Sequence, residues 1–307
     1  MRLHQNTLLI IPLLIGLLTT KGLSDGNDQP INDASIKVQF ERKLGKLKDE
    51  KKTAETSLIS SQLKEQNKIH ADLPKTTNEN LQSYEIYKNR KDGVLCLGNI
   101  YKCDRCSNWH GNIAGGFIIT KDGLAVTNYH VMKNSKAGAF GAMTIQGEIY
   151  SIEKIVASSE KNDLAIVKLK GSGFTPLPIA KSAPIGSEVT VISHPEGRFY
   201  TVSKGIISRY YKQRGGKEKG SPRLAITADF AKGSSGSPVF DTSGSVIGVV
   251  AATNSIYYNK NIRLIFKENY NSFIIDFYKF YISKNHQPYQ LFYLQKLGND
   301  EFYLFFY

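Results

Sequence analysis

Hydrophobic and polar positions change rhythm several times along this chain. Leu8 to Leu18 is apolar, interrupted only by Pro12 and Gly16. It is too short for a comfortable membrane span, and Arg2 before it and the small residues after it fit an export signal cleaved near Gly22-Leu23-Ser24. From Ser35 to Leu73 there is no proline and much Lys, Glu and Gln. Phe40, Leu44, Leu47, Ala54 and Leu58 recur at spacings of three, four and seven, which predicts one helix stripe, although Lys51 interrupts it and Ile59 and Leu63 shift it. So sparse a stripe reads as a solvated spacer helix rather than an oligomerisation seam. Pro74 and the polar run from Lys75 to Asn80 mark a linker.

From Ala114 the period drops to that of strands. Gly115 to Thr120 and Leu124 to Thr127 flank the tight turn Lys121-Asp122-Gly123. Further strands are predicted at Gly147 to Val156, Leu164 to Leu169, Glu188 to Ser193, Val202 to Tyr210, Leu224 to Ala228 and Val246 to Ala252. That spacing suits a barrel or sandwich, so the body is all-β. The organisation expected is a signal peptide over 1–24, a charged helical arm and linker over 25–90, a β domain over 91–265 and a tail over 266–307. In the tail Phe and Tyr dominate, and Ser272 to Tyr281 fits a helix with Ile274, Ile275, Phe277, Tyr278 and Tyr281 on its apolar face. The aromatic end is either a contact for membrane or partner or an unconstrained extension.

The chain has 307 residues and a formal net charge of +13. Its 40 Lys and Arg are spread along the sequence rather than gathered in a block, which favours a basic soluble surface over a nucleic-acid site. No nucleic-acid partner is therefore expected, and membrane contact only if the signal stays uncleaved. The three cysteines lie together at Cys96, Cys103 and Cys106, with His110 just beyond. Three sulfurs and one imidazole suit tetrahedral zinc. Export favours a disulfide instead, which leaves one thiol over. A redox role would want a βαβ context, which is missing. Trp109, the only tryptophan, reads as a packing residue.

Candidate chemistry centres on Lys232-Gly233-Ser234-Ser235-Gly236-Ser237-Pro238. Gly233 and Gly236 permit a tight turn that exposes N–H groups beside a serine hydroxyl. The N–H groups of Gly233 and Ser235 are the natural donors to an oxyanion. Such a turn alone is common and needs a base and an orienting acid. His130 ends a predicted strand and Asp163 heads another; the intervals are 163 − 130 = 33 residues from His to Asp and 235 − 163 = 72 from Asp to Ser235. The order His, Asp, Ser matches barrels that carry such a triad and not α/β-hydrolases. His194, ahead of Pro195, is a rival base that reads as structural.

Taken together, Gly115-Gly116-Phe117-Ile118-Ile119, Thr127-Asn128-Tyr129-His130-Val131, Asn162-Asp163-Leu164-Ala165 and Gly233-Ser234-Ser235-Gly236-Ser237-Pro238 resemble the trypsin-like serine peptidases of the chymotrypsin fold. The nearest branch is HtrA-like, and Ser193-His194-Pro195-Glu196-Gly197 with Gly205-Ile206-Ile207-Ser208 is similar to its loop and strand before the nucleophile. The resemblance covers about residues 93–252 and implies two six-stranded β-barrels with the cleft between them. It implies a serine endopeptidase acting on proteins or peptides through His130, Asp163 and Ser235 and an acyl-enzyme, with no cofactor. Structural zinc is the one metal the cysteine segment allows. Ser237 stands where many relatives have glycine, and no PDZ pattern follows the protease body. Asp229, six residues before Ser235, has the spacing of a trypsin pocket-floor aspartate, with Ala251, Ala252 and Thr253 implied as the pocket wall; in the HtrA-like branch an aspartate there is commonly structural. Competing readings are a catalytically idle binding protein on the same barrels, a thiol or zinc protein, and a polyanion binder. The assembly state is not readable.

Overall fold

A computed structural model of the protein describes residues 29–64, 69, 71–214, 216, 219–254 and 289–292. The expected signal segment and the expected Ser272–Tyr281 helix lie outside the described residues.

The body is all-β, as its patterning predicts. Six strands close into a barrel: β1 (Val94–Lys102), β2 (Trp109–Ile118), β3 (Leu124–Thr127), β4 (Ala139–Met143), β5 (Ile149–Ser159) and β6 (Leu164–Leu169), in the order β1-β2-β3-β6-β5-β4. A second sheet holds β7 (Glu188–Ser193), β8 (Thr201–Lys212), β9 (Pro222–Ile226), β10 (Pro238–Phe240), β11 (Val246–Val249), β12 (Ala252–Asn254) and β13 (Tyr289–Phe292). Its order is β11-β10-β7-β8-β9-β13-β12. With the closed first barrel, this half-barrel sheet matches the two-barrel architecture that the resemblance implies, with seven strands in place of the six expected. The additional strand is β13, which pairs antiparallel with both β9 and β12.

The N-terminal arm is not a spacer in solvent. Helix α1 (Asp33–Asp49) starts at Asn32, whose side chain accepts from the N–H of Ser35. It ends where Lys51 takes a left-handed backbone, φ 56°, so the predicted single stripe stops at Leu47. Phe40 and Leu44 are fully buried in one apolar cluster with Ile100 and Met143 of the barrel. Glu41 Oε1 accepts from Gly111 N at 2.8 Å, and Lys43 Nζ donates to the carbonyl of Gly147. Helix α2 (Thr56–Gln62) follows, and it buries Ile59 and Leu63, not Leu58, against the other face of the barrel. Its end is tied down by Ser158 Oγ, which donates to Leu63 O, and by Ile155 N, which donates to Gln62 Oε1. A third helix, α3 (Ser83–Arg90), leads into β1 and carries a capping box between Gln82 and Glu85. No helix among the described residues is long and apolar enough to cross a membrane.

Candidate active site

β3 runs into a one-turn helix, α4 (Tyr129–Met132), which turns His130 out of the barrel wall while Tyr129, Val131 and Met132 are buried. Asp163 sits in the turn between β5 and β6 with φ 55°, a left-handed conformation unusual for a residue with a side chain. Strain of this kind gathers at functional positions. Both oxygens of its buried carboxylate are committed to His130: Oδ1 accepts from the backbone N–H at 3.0 Å and Oδ2 pairs with ring Nδ1 at 2.8 Å. Its own carbonyl accepts from Asn128 Nδ2 at 2.8 Å, and Arg223 of β9 donates to the neighbouring carbonyl of Asn162 at 3.3 Å. A neutral imidazole that donates through Nδ1 carries its lone pair on Nε2. His130 is half-exposed, in a cleft of about 720 Å³ that Ser235 and Gly233 also line.

The serine turn is braced from three sides. Ser234 N donates to Ala231 O, Gly236 N to Val250 O and Ser237 N to Ser234 O, and these bonds leave out the N–H groups of Gly233 and Ser235. Gly115 N of β2 donates to Ser235 O at 2.7 Å, so the barrel holds the nucleophile's own carbonyl. A side chain at Gly115 would collide with Ser237, and one at Gly236, φ 85°, with Gly115 O at 2.1 Å. Thr127 Oγ1 donates to the same Gly115 carbonyl at 2.8 Å. Behind the turn, Glu196 N donates to Lys232 O at 2.6 Å, and Ser234 Oγ donates to Ser193 Oγ at 3.2 Å.

His194 belongs to that rear brace and not to the cleft. Its Nε2 pairs with Leu95 O at 3.0 Å, its Nδ1 accepts from Tyr200 N at 3.0 Å, and burial pushes it down to about 4. A ring so held is neutral, with the proton on Nε2. Sequence reasoning missed several residues around the cleft. α1 brings Lys37 to its rim, and Asp33 Oδ1 accepts from Phe199 N at 2.9 Å in the loop after His194. Gly111 to Ala114, Glu196 and Lys232 line it too. The i, i+4 stripe of α1 was the only available signal, and it does not say which surface the helix covers.

Of the two remaining expected groupings, one is described in part and the other is corrected. Asp229 is exposed, and its carbonyl accepts from Ser203 Oγ. Ala251 is half-buried and Ala252 exposed, directly after Val250, whose carbonyl accepts from Gly236 N of the serine turn; of Thr253 only the strand backbone is described. Cys96 does not join the other cysteines. It is fully buried in the barrel wall, where lost solvation pushes its thiol up to about 12. Cys103, Cys106 and His110 do meet, as free thiols and an imidazole within 4.8 Å of one another. The N–H of Arg105 is the largest of several hydrogen bonds that hold Cys103 down at about 7.

Residues 114–249 match the family described as "Trypsin-like peptidase domain". Among curated proteins, the chain is 34% identical over 139 residues to "Probable periplasmic serine endoprotease DegP-like" of Hahella chejuensis, covering 44% of this chain and 28% of that one. It is 29% identical over 141 residues to "Serine endoprotease DegS" of Haemophilus influenzae, covering 45% of this chain and 41% of that one. The match thus spans well under half the length of these relatives. Among solved structures, the serine endoprotease from Yersinia pestis aligns at 23% identity over 55% of this chain and 57% of its own, with a TM-score of 0.45.

Proposed function

We propose that the chain carries a trypsin-like serine peptidase domain of the HtrA-like branch and is a serine endopeptidase of protein substrates. The observation that carries this reading is the double grip of Asp163 on His130, in a cleft shared with Ser235 and Gly233. Ser235 Oγ attacks the peptide carbonyl while His130 Nε2 takes its proton and later returns it to the leaving amine. Asp163 keeps the proton on Nδ1 and stabilises the imidazolium. The N–H groups of Gly233 and Ser235 receive the oxyanion, each donor contributing about 3 kcal/mol of barrier lowering.

Substrates are proteins or peptides laid along Gly111 to Ala114, the strand segment that lines the cleft. The apolar run Leu8 to Leu18 and the word periplasmic in the name of the Hahella relative support an exported protein. The test is labelling by a fluorophosphonate probe. The parent chain should be labelled once and the Ser235→Ala variant not at all; equal labelling of both would remove Ser235 from the mechanism.

A further inference from the structure

Beyond the cleft, one cluster of chemically capable side chains is left unused. We propose that the tip of the β1–β2 hairpin is a metal site, in which Cys103 Sγ, Cys106 Sγ and His110 Nε2 hold one zinc ion and the fourth position is open to solvent.

Tyr101 pairs with His110 and Lys102 with Trp109, so Cys103 and Cys106 lie in the turn and His110 just inside β2. The three donor atoms form a compact triangle: 3.4 Å between the sulfurs, and 3.2 Å and 3.0 Å from Nε2 to Cys103 and Cys106. Tetrahedral zinc with ordinary bond lengths needs edges of about 3.8 Å between sulfurs and about 3.5 Å from sulfur to nitrogen. Each edge therefore needs to open by only about half an ångström or less. A disulfide would account for two of the three groups but gives the imidazole no reason to converge on both sulfurs. Two thiolates and a neutral imidazole also neutralise the charge of a divalent ion, and this mixed sulfur and nitrogen set suits zinc.

The tip is held in place before any ion arrives. Trp109 packs so closely on α1 and on the segment before β4 that a Cβ at Gly45 would lie 2.5 Å from it, and one at Gly138 2.4 Å. Lys102 lies over the Trp109 ring, 4.2 Å from its centroid, and its ammonium donates to Ser107 O across the turn. His110 packs against Tyr101, ring centroids 5.7 Å apart. Cys106 is exposed and Cys103 and His110 are half-buried, which leaves the fourth position reachable from solvent. Cys96 takes no part.

The test uses the full chain, reduced and stripped of metal, titrated with zinc against a chromophoric chelator and with cobalt(II) as a spectroscopic probe. One ion per chain is expected, with a thiolate-to-cobalt charge-transfer band. Cys103→Ser, Cys106→Ser and His110→Ala should each weaken binding at least tenfold, and Cys96→Ala should leave it unchanged. The three ligands sit outside both buried apolar clusters, so these variants should keep the parent's melting curve without zinc. Failure of the reduced chain to take up a stoichiometric ion would overturn the proposal. So would binding that the three substitutions leave unmoved, or isolation of the native chain with a Cys103–Cys106 disulfide and no metal.

Discussion

Replacing Gly115 with alanine should loosen the serine turn while leaving all three triad side chains in place. A Cβ at Gly115 would lie 2.1 Å from Ser237 Oγ, 2.7 Å from Ser237 N and 3.0 Å from Ser237 Cα. The hydroxyl can rotate away, but the backbone nitrogen cannot. Restoring an ordinary contact of 3.4 Å requires β2 and the turn to part by 3.4 − 2.7 = 0.7 Å. Ser237 is fully buried, so that movement must come from the junction between barrel and sheet, where Gly115 N donates to Ser235 O. Overpacking of this kind costs about 1–3 kcal/mol of stability. A displacement approaching 1 Å at a reacting group costs on the order of 10²-fold in rate, so the fluorophosphonate labelling rate should fall about 10- to 100-fold. Gly173→Ala is the control: its φ of 78° is strained for alanine but nothing lies within 4 Å. It should lose about 1 kcal/mol and label at the parent rate. A Gly115→Ala variant that melts and labels like the parent would refute the close junction.

Three other outcomes follow from the packing. His194 is held neutral with its pKa at about 4, below the ordinary value of 6.5. The unfolded chain therefore takes up that proton first, and His194's contribution to stability is complete above pH 6.5 and is lost as pH falls through 4, by about 3 kcal/mol in all; denaturant melts from pH 7 to 4 should show this slope flattened in His194→Gln. Leu44→Ala, at a fully buried position of α1, should cost about 2–5 kcal/mol by the same melts, whereas a solvated arm would lose under about 0.5. Ser237 Oγ is buried and has no hydrogen-bond partner among the described residues, so Ser237→Ala should leave the melting temperature unchanged or raised.

The parts of the site legible in the sequence are those made by local backbone. His130 at a strand end, Asp163 at a strand start and Ser235 between two glycines each announce themselves within a few residues. Among the strands that went unread, β1 and β4 lack alternation because both faces are covered: Val94 to Ile100 is buried without a break, as is all of Ala139 to Met143. Pairing also decided the fate of the cysteines. Cys96 lies opposite Gly115 and Met143 in the barrel wall, far along β1 from the turn that carries the other two. Sequence offset does not by itself place Asp229, because a count of residues does not say toward which side the chain has turned. Nor does the 3.6-residue period of α1 say that its covered surface includes the edge of a cleft.

Docking of α1 also moves the start of the smallest useful recombinant fragment. The recognised domain begins at residue 114 and the barrel at Val94, yet a clone cut at either point would expose the patch that Phe40 and Leu44 cover and would release Phe199 from Asp33. Expression work on this protein should keep the chain from Asn32 onward, because what reads as a solvated spacer is a wall of the folded body.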